Sequence, residues 1–289
     1  MKKVLQLIIL ASFSVSMLQG YSLVWANYDL INTGSDETRG LAYNPATNHV
    51  LVATRKDSAR IAVLDAETGQ YLGNLAAPDD GFVGGTYPIN LIDIADDGVI
   101  YVCNLHAPAY NSVAFKIYRY ADENSVPSVV FEDPTDGIRY GDSFAVIGSG
   151  ENTYLYSAGW QSDKMLVLKI RRDIAELNAV VTLPAAGAAR HAISPVSPGG
   201  NLWLNGSDGE QPVRLIGPDG MLIAAVGDSI FSPGGSASVA HWEVGPLKIL
   251  TASNVFLSNT LKSCRYFEDE LGTVTFDYFG WTSDCLLYT

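Results

Sequence analysis

Arg39, Asn90, Asp142 and Arg190 stand 51, 52 and 48 residues apart, with His191 beside the last. A cation, an amide, a carboxylate and a second cation thus recur at nearly one interval. Two guanidinium groups facing a carboxylate either clamp an acidic ligand through paired hydrogen bonds or pair with Asp142 themselves and close the space between them. Asn90, Asp93, Asp142 and Glu243 also offer the oxygen ligands that a hard cation such as Ca2+ takes, and a metal held there would activate water or polarise a carbonyl. Their spacing matches no ligand motif. The leading reading therefore assigns no cofactor, with Ca2+ as the alternative.

A second set of side chains suits a sugar, a peptide or another small molecule. Phe82, Tyr87, His106, Tyr110, Tyr140, Trp160 and Phe231 fall in long connections, with Asp79, Asp80, Asp133 and Asp136 among them. Rings stack on apolar faces while carboxylates accept hydroxyl or amine protons. The alternative is that the rings pin the connections onto the scaffold beneath them. The four histidines share no metal-ligand spacing, and His49 and His241 lie in strand patterns that read as structural. The chain carries no HExxH, no GxSxG, no P-loop and no dinucleotide fingerprint.

What must place these residues is a repeated sheet. Residues 39–75, RGLAYNPATNHVLVATRKDSARIAVLDAETGQYLGNL, hold four short apolar runs separated by Asn-Pro, a charged link and Glu-Thr-Gly. Proline fixes φ and asparagine bonds its own backbone, so these breaks turn the chain. Four antiparallel strands make a small sheet that cannot bury both faces alone and predicts stacked copies. Copies open near Gly40, Asn90, Asp142, His191 and Ser238, at steps of 50, 52, 49 and 47 residues. That regularity predicts an all-β propeller of five recognisable four-stranded blades, in one domain over residues 21–289, with very little helix. A β-sandwich would not repeat its loop lengths in this way.

The two ends of such a propeller differ. Compact turns such as Glu67-Thr68-Gly69, Asp96-Asp97-Gly98 and Pro218-Asp219-Gly220 lie at one end. The longer connections, 78–87, 105–113, 132–140, 159–164, 228–236 and 253–262, lie at the other, where a rigid scaffold can present function. The channel residues begin the first strand of each blade, at that same end.

Bulk properties narrow the partners. A net charge of −13 disfavours nucleic acid, whose affinity rests on clustered Lys and Arg. Residues 1–20 read as a secretory signal peptide, Met-Lys-Lys followed by an apolar run too short to span a bilayer, and place the mature chain outside the cytoplasm: secreted, periplasmic or at the cell surface, with no membrane contact after cleavage. Cys103 reads as a buried strand residue, and Cys264 with Cys285 as the natural pair for a disulfide.

The segments RGLAYNP, VLDAETG, FKIYRYADEN and RYGDSF resemble an uncharacterised family of secreted bacterial β-propeller proteins, over most of residues 22–230. The resemblance implies fold and export and brings no catalytic motif. VLDAETG is also similar to YVTN-type and NHL-type blades, which bears on architecture only.

The ends of the chain raise the question of closure. Residues 23–31 alternate like a strand and stand where an outermost strand would precede the first blade. A sixth blade would open near residue 285, which predicts an incomplete ring of six or more blades. The alternative is five blades closed by residues 23–31 against the fifth. The leading functional reading is an exported, non-enzymatic binding or scaffold module that recognises a glycan or peptide through its long-loop end. A metal-dependent lactonase using the channel is the alternative.

Overall fold

The computed structural model describes residues 24–30, 37–108, 114–133, 135–206, 213–231, 238–254 and 260–282. Twenty strands form five sheets of four, each an antiparallel meander in chain order. Blade 1 comprises β1 (Thr38–Asn44), β2 (His49–Thr54), β3 (Arg60–Asp65) and β4 (Tyr71–Asn74). Blade 2 comprises β5 (Tyr87–Ile94), β6 (Ile100–Leu105), β7 (Phe115–Tyr120) and β8 (Ser128–Asp133). Blade 3 is β9 (Ser143–Ile147), β10 (Tyr154–Ala158), β11 (Lys164–Arg171) and β12 (Ile174–Thr182). Blade 4 is β13 (Ala192–Pro195), β14 (Leu202–Asn205), β15 (Val213–Ile216) and β16 (Leu222–Ala225). Blade 5 is β17 (Ala240–Val244), β18 (Leu247–Asn254), β19 (Thr260–Glu268) and β20 (Val274–Thr282). The five blades are arranged as a five-blade propeller, and two single 3-10 turns, Thr135–Gly137 and Gly150–Asn152, are the helical structure among the described residues.

The middle strands are buried on both faces because each blade is covered by neighbours: β6 reads Ile-Tyr-Val-Cys-Asn-Leu and every residue is buried. Core clusters fall between successive blades, joining Leu51 and Ile61 to Ile89 and Val102, Tyr101 to Leu155, Tyr156 to Leu202, and Trp203 to Leu250. At Gly40 the inner strands of blades 1 and 2 come so close that a Cβ would stand 2.7 Å from the Leu91 Cα and 2.8 Å from the Ile92 nitrogen, so the side chain must be absent.

Turn carboxylates supply both the hairpins and the joints between blades. Asp65 accepts hydrogen bonds from the Glu67 and Thr68 amides and the Thr68 hydroxyl, and these hold its carboxyl below the usual range. Asp122 and Asp269 repeat the device in blades 2 and 5. Between blades, Glu123 accepts from Asn44 (2.7 Å), Thr47 (2.6 Å) and His49 (2.6 Å). Asp96 and Asp97 accept from the Gly148 and Gly150 amides of blade 3.

Several boundaries and one end differ from the sequence expectation. β12 begins at Ile174 rather than near Ala179, because Arg172 and Asp173 both adopt positive φ (49° and 63°) and make a tight hairpin that lets pairing start at once. The last two strands of blade 5, faint in the sequence, are nine residues each. Residues 24–30 form no strand. They lie instead on the outer part of blade 1, where Trp25 and Leu30 cover Val52, Ala62 and Leu64, the Trp25 indole donates to the Ala66 carbonyl at 2.8 Å, and its ring lies against Gly69. Ala42 packs toward blade 2 and Val239 toward blade 4, so the two do not bury each other, and among the described residues no core cluster joins blades 1 and 5. The signal segment, Cys285 and the opening expected for a sixth blade near residue 285 lie outside the described residues. Cys103 and Cys264 are buried free thiols, and burial pushes both pKa values up, that of Cys264 to about 12.

Candidate functional site

Up-and-down blades put the connections between second and third strands, and those between consecutive blades, at one end. Trp160 sits between β10 and β11, Arg139 and Asp142 between β8 and β9, and Arg190 and His191 between β12 and β13, so blades 2 to 4 deliver them to a common rim. There the sequence-predicted channel residues do meet. Asp142 is buried and accepts from Arg139 Nε at 2.5 Å and Nη2 at 2.6 Å, a bidentate pair, and from the Trp160 amide at 2.7 Å. The Trp160 ring carries the Arg190 guanidinium 4.8 Å from its centroid and that of Arg139 at 5.7 Å.

The electrostatics of this rim are cationic in an acidic protein. Burial lowers the Arg190 pKa; Asp142 opposes that shift, and Arg139 and Arg39 add to it. His191 is pushed down to about 4, chiefly by burial and then by Arg190, with Arg39 in the same sense and Asp142 against it. His191 is therefore neutral at neutral pH. Arg139 takes both oxygens of Asp142, and among the described residues no carboxylate pairs with Arg190. The local excess of positive charge suits an anion.

A fourth guanidinium, that of Arg55, lies next along the rim. Arg55 donates to the Ile89 carbonyl at 2.9 Å and to Asn90 Oδ1 at 3.3 Å, and its guanidinium stands 3.9 Å over the Tyr87 ring. Asn90 is fully buried and donates to the Gly141 carbonyl at 2.6 Å, tying blade 2 to blade 3 beneath the site.

The aromatic set divides. Phe82 is buried with its edge toward Tyr118, 5.3 Å between centroids; Tyr140 is buried against Phe115; His106 and Tyr140 pair through their backbones; Phe231 lies in the core between blades 4 and 5. These four serve as anchors of the connections. Trp160, 39% exposed, and the half-buried Tyr87 are the two that reach solvent beside a guanidinium. Asp79, Asp80, Asp133 and Asp136 are exposed on the same connections. Tyr110 lies outside the described residues.

The oxygens proposed for a cation do not form a cage. Asp93 accepts from the Val146 amide of blade 3 at 2.7 Å and from the Ile94 amide at 2.9 Å, and burial raises its pKa to about 6. Asp142 faces guanidinium and amide donors, the Asn90 amide is engaged on both its atoms, and Glu243 is exposed 3.7 Å from His241 on blade 5. The oxygens of Asp93, Asp142 and Asn90 are taken by N–H donors, Glu243 stands on another blade, and among the described residues no group of three His, Cys, Asp or Glu clusters for a metal. The donor set does not fit Ca2+.

Sequence reasoning missed Arg139 and Arg55. Arg139 stood three residues before Asp142 in the quoted RYGDSF segment, and a scan of the long connections for cations as well as rings would have found it. Arg55 has no such local signal, since Tyr87 and Asn90 are more than thirty positions away.

No protein-family model and no curated protein matches the chain. Solved structures do. A DUF4623 family protein from Bacteroides eggerthii superposes with a TM-score of 0.64 at 17% identity, over 86% of this chain and 62% of that one. A protein from Lactobacillus plantarum gives 0.54 at 16% identity, over 88% and 72%. A gluconolactonase from Xanthomonas campestris gives 0.45 at 15% identity, over 76% and 83%, too slight a likeness to bear on chemistry. The first two share this chain's fold. The chain spans about three fifths of the length of the Bacteroides protein.

Proposed function

We propose that this chain is an exported, non-enzymatic binding propeller that holds a carboxylate-bearing ligand, an acidic saccharide or an acidic peptide side chain, at the channel rim on its long-loop end. The observation that supports this most is Trp160 flanked by Arg139 and Arg190, with Asp142 paired to Arg139. An anion entering there finds a cation not already paired with a carboxylate, Arg190, beside the exposed part of an aromatic ring. The guanidinium supplies paired donors and the indole an apolar surface. Focusing by the surrounding rim would speed capture, and added salt would weaken it. Export rests on the leader read in residues 1–20. The lactonase reading has no observation in its favour, since the oxygens of Asn90, Asp93 and Asp142 are engaged with N–H donors.

Calorimetry on the mature protein with galacturonate and glucuronate, set against galactose and glucose, tests the proposal. The uronates should bind and the neutral sugars should not bind at the rim, and Arg190→Ala should weaken uronate binding about tenfold, the scale of one charge-assisted hydrogen-bonded pair. Uronate binding that Arg190→Ala leaves intact, or none at low salt, overturns it.

A further inference from the structure

Away from the channel, a cavity of about 470 Å3 opens between the segment that covers blade 1 and the outer edge of that blade. Its walls are Asp29 and Leu30 of that segment, Asp57, Ser58 and Arg60 between β2 and β3, and Tyr71 and Asn74 of β4. Tyr71 pairs with Leu64 and Asn74 with Ala62, and Leu64 and Ala62 are the residues that Leu30 covers, so the tyrosine ring and the amide rise on the cavity side. The volume falls in the range of roughly 300–1,000 Å3 usual for small-molecule sites.

The polar groups of this cavity are open to a ligand. The turn carboxylates of Asp65, Asp122 and Asp269, by contrast, are engaged by their own backbone amides. Here the Asp29 carboxylate, the Ser58 hydroxyl and the Asn74 amide have no partner among the described residues, and Asp57 has only Arg60, at 3.9 Å. Tyr71 is 48% exposed.

We propose that this cavity binds an uncharged saccharide of one or two rings. Tyr71 offers a ring for the C–H face of a pyranose, Asp29 and Asp57 accept hydroxyl protons, and Asn74 and Ser58 both donate and accept. The Arg60 guanidinium and the Lys56 ammonium, which donates to the Asp29 carbonyl, balance the two carboxylates and leave no net charge to favour an ion, and among the described residues the carboxylates are too few for a metal cage. The site is separate from the rim and stands whether or not the rim binds uronates.

Cellobiose, maltose, lactose and chitobiose, each at millimolar concentration, are titrated into the mature protein by calorimetry, with Tyr71→Ala, Asn74→Ala and Arg190→Ala in parallel. At least one disaccharide should bind, Tyr71→Ala and Asn74→Ala should each weaken it about tenfold, and Arg190→Ala should leave it unchanged. Circular dichroism melting confirms that the variants fold. Binding by none of the four, binding that survives both blade 1 substitutions, or binding lost only in Arg190→Ala overturns the proposal.

Discussion

Asp93 and His191 should give this protein two pH dependences of opposite sign that hide one another. Asp93 has its pKa raised from 3.8 to about 6, chiefly by burial, against the pull of two backbone N–H bonds. A carboxyl raised in the folded state contributes stability that is complete below pH 3.8 and is lost as pH rises through 6. A shift of that size corresponds to about 3 kcal/mol, and because the residue keeps some exposure we take about 2. His191 has its pKa lowered from 6.5 to about 4. Its contribution is complete above pH 6.5 and is lost as pH falls through 4; discounted for its partial exposure it amounts to about 1–2 kcal/mol. The windows nearly coincide, so the two terms offset in the wild type. Asp93→Asn removes the carboxyl's contribution and leaves the histidine's, so stability should rise by about 2 kcal/mol from pH 4 to 6.5 relative to wild type. His191→Asn removes the histidine's contribution and leaves the carboxyl's, so stability should fall by about 1–2 kcal/mol over the same range relative to wild type. Asp93→Asn also leaves the Ile94 or Val146 amide without its acceptor, a cost of about 1–3 kcal/mol that offsets the curve without tilting it. Urea unfolding at half-unit pH steps reads both. Other titrating groups cancel in the difference from wild type, so variant curves that run parallel to the wild type refute the argument.

Glu123→Ala should cost about 2–3 kcal/mol in urea melts, since it removes the acceptor for Asn44, Thr47 and His49 between blades 1 and 2; a loss under half that would mean the blades hold by packing alone. Gly40→Ala should cost more than about 2 kcal/mol, because the added methyl meets backbone of blade 2 rather than a side chain that can move, and an unchanged melting temperature would contradict the close approach. Asp142→Asn should strengthen uronate binding while lowering stability, since it leaves the Arg139 and Arg190 charges unopposed; weaker binding would make Asp142 a positioning residue for Arg139.

Much of this architecture can be read from local chemistry. Turns such as Asp65 to Gly69 are specified within five residues, because the carboxylate bonds amides two and three positions on and glycine takes the positive φ. Repetition of such turns at a near-constant interval is enough to count blades. The interval also placed Arg39, Asp142 and Arg190 at equivalent points of their blades, and so in one neighbourhood. What the rim residues do to each other was decided only by the tertiary structure. Whether Asp142 faces Arg139 or Arg190, and whether a ring such as Trp160 stands in solvent while Phe82, Tyr140 and Phe231 sink into the core, depends on how blades 2 to 5 pack, and no residue type announces it. The segment at residues 24–30 makes the same point: its alternating pattern is compatible with a strand, yet it covers the outer part of blade 1 as an irregular strap, because Trp25 and Leu30 find apolar surface there and the Trp25 indole finds the Ala66 carbonyl. Burial is a property of neighbours, and local sequence carries only the capacity for it.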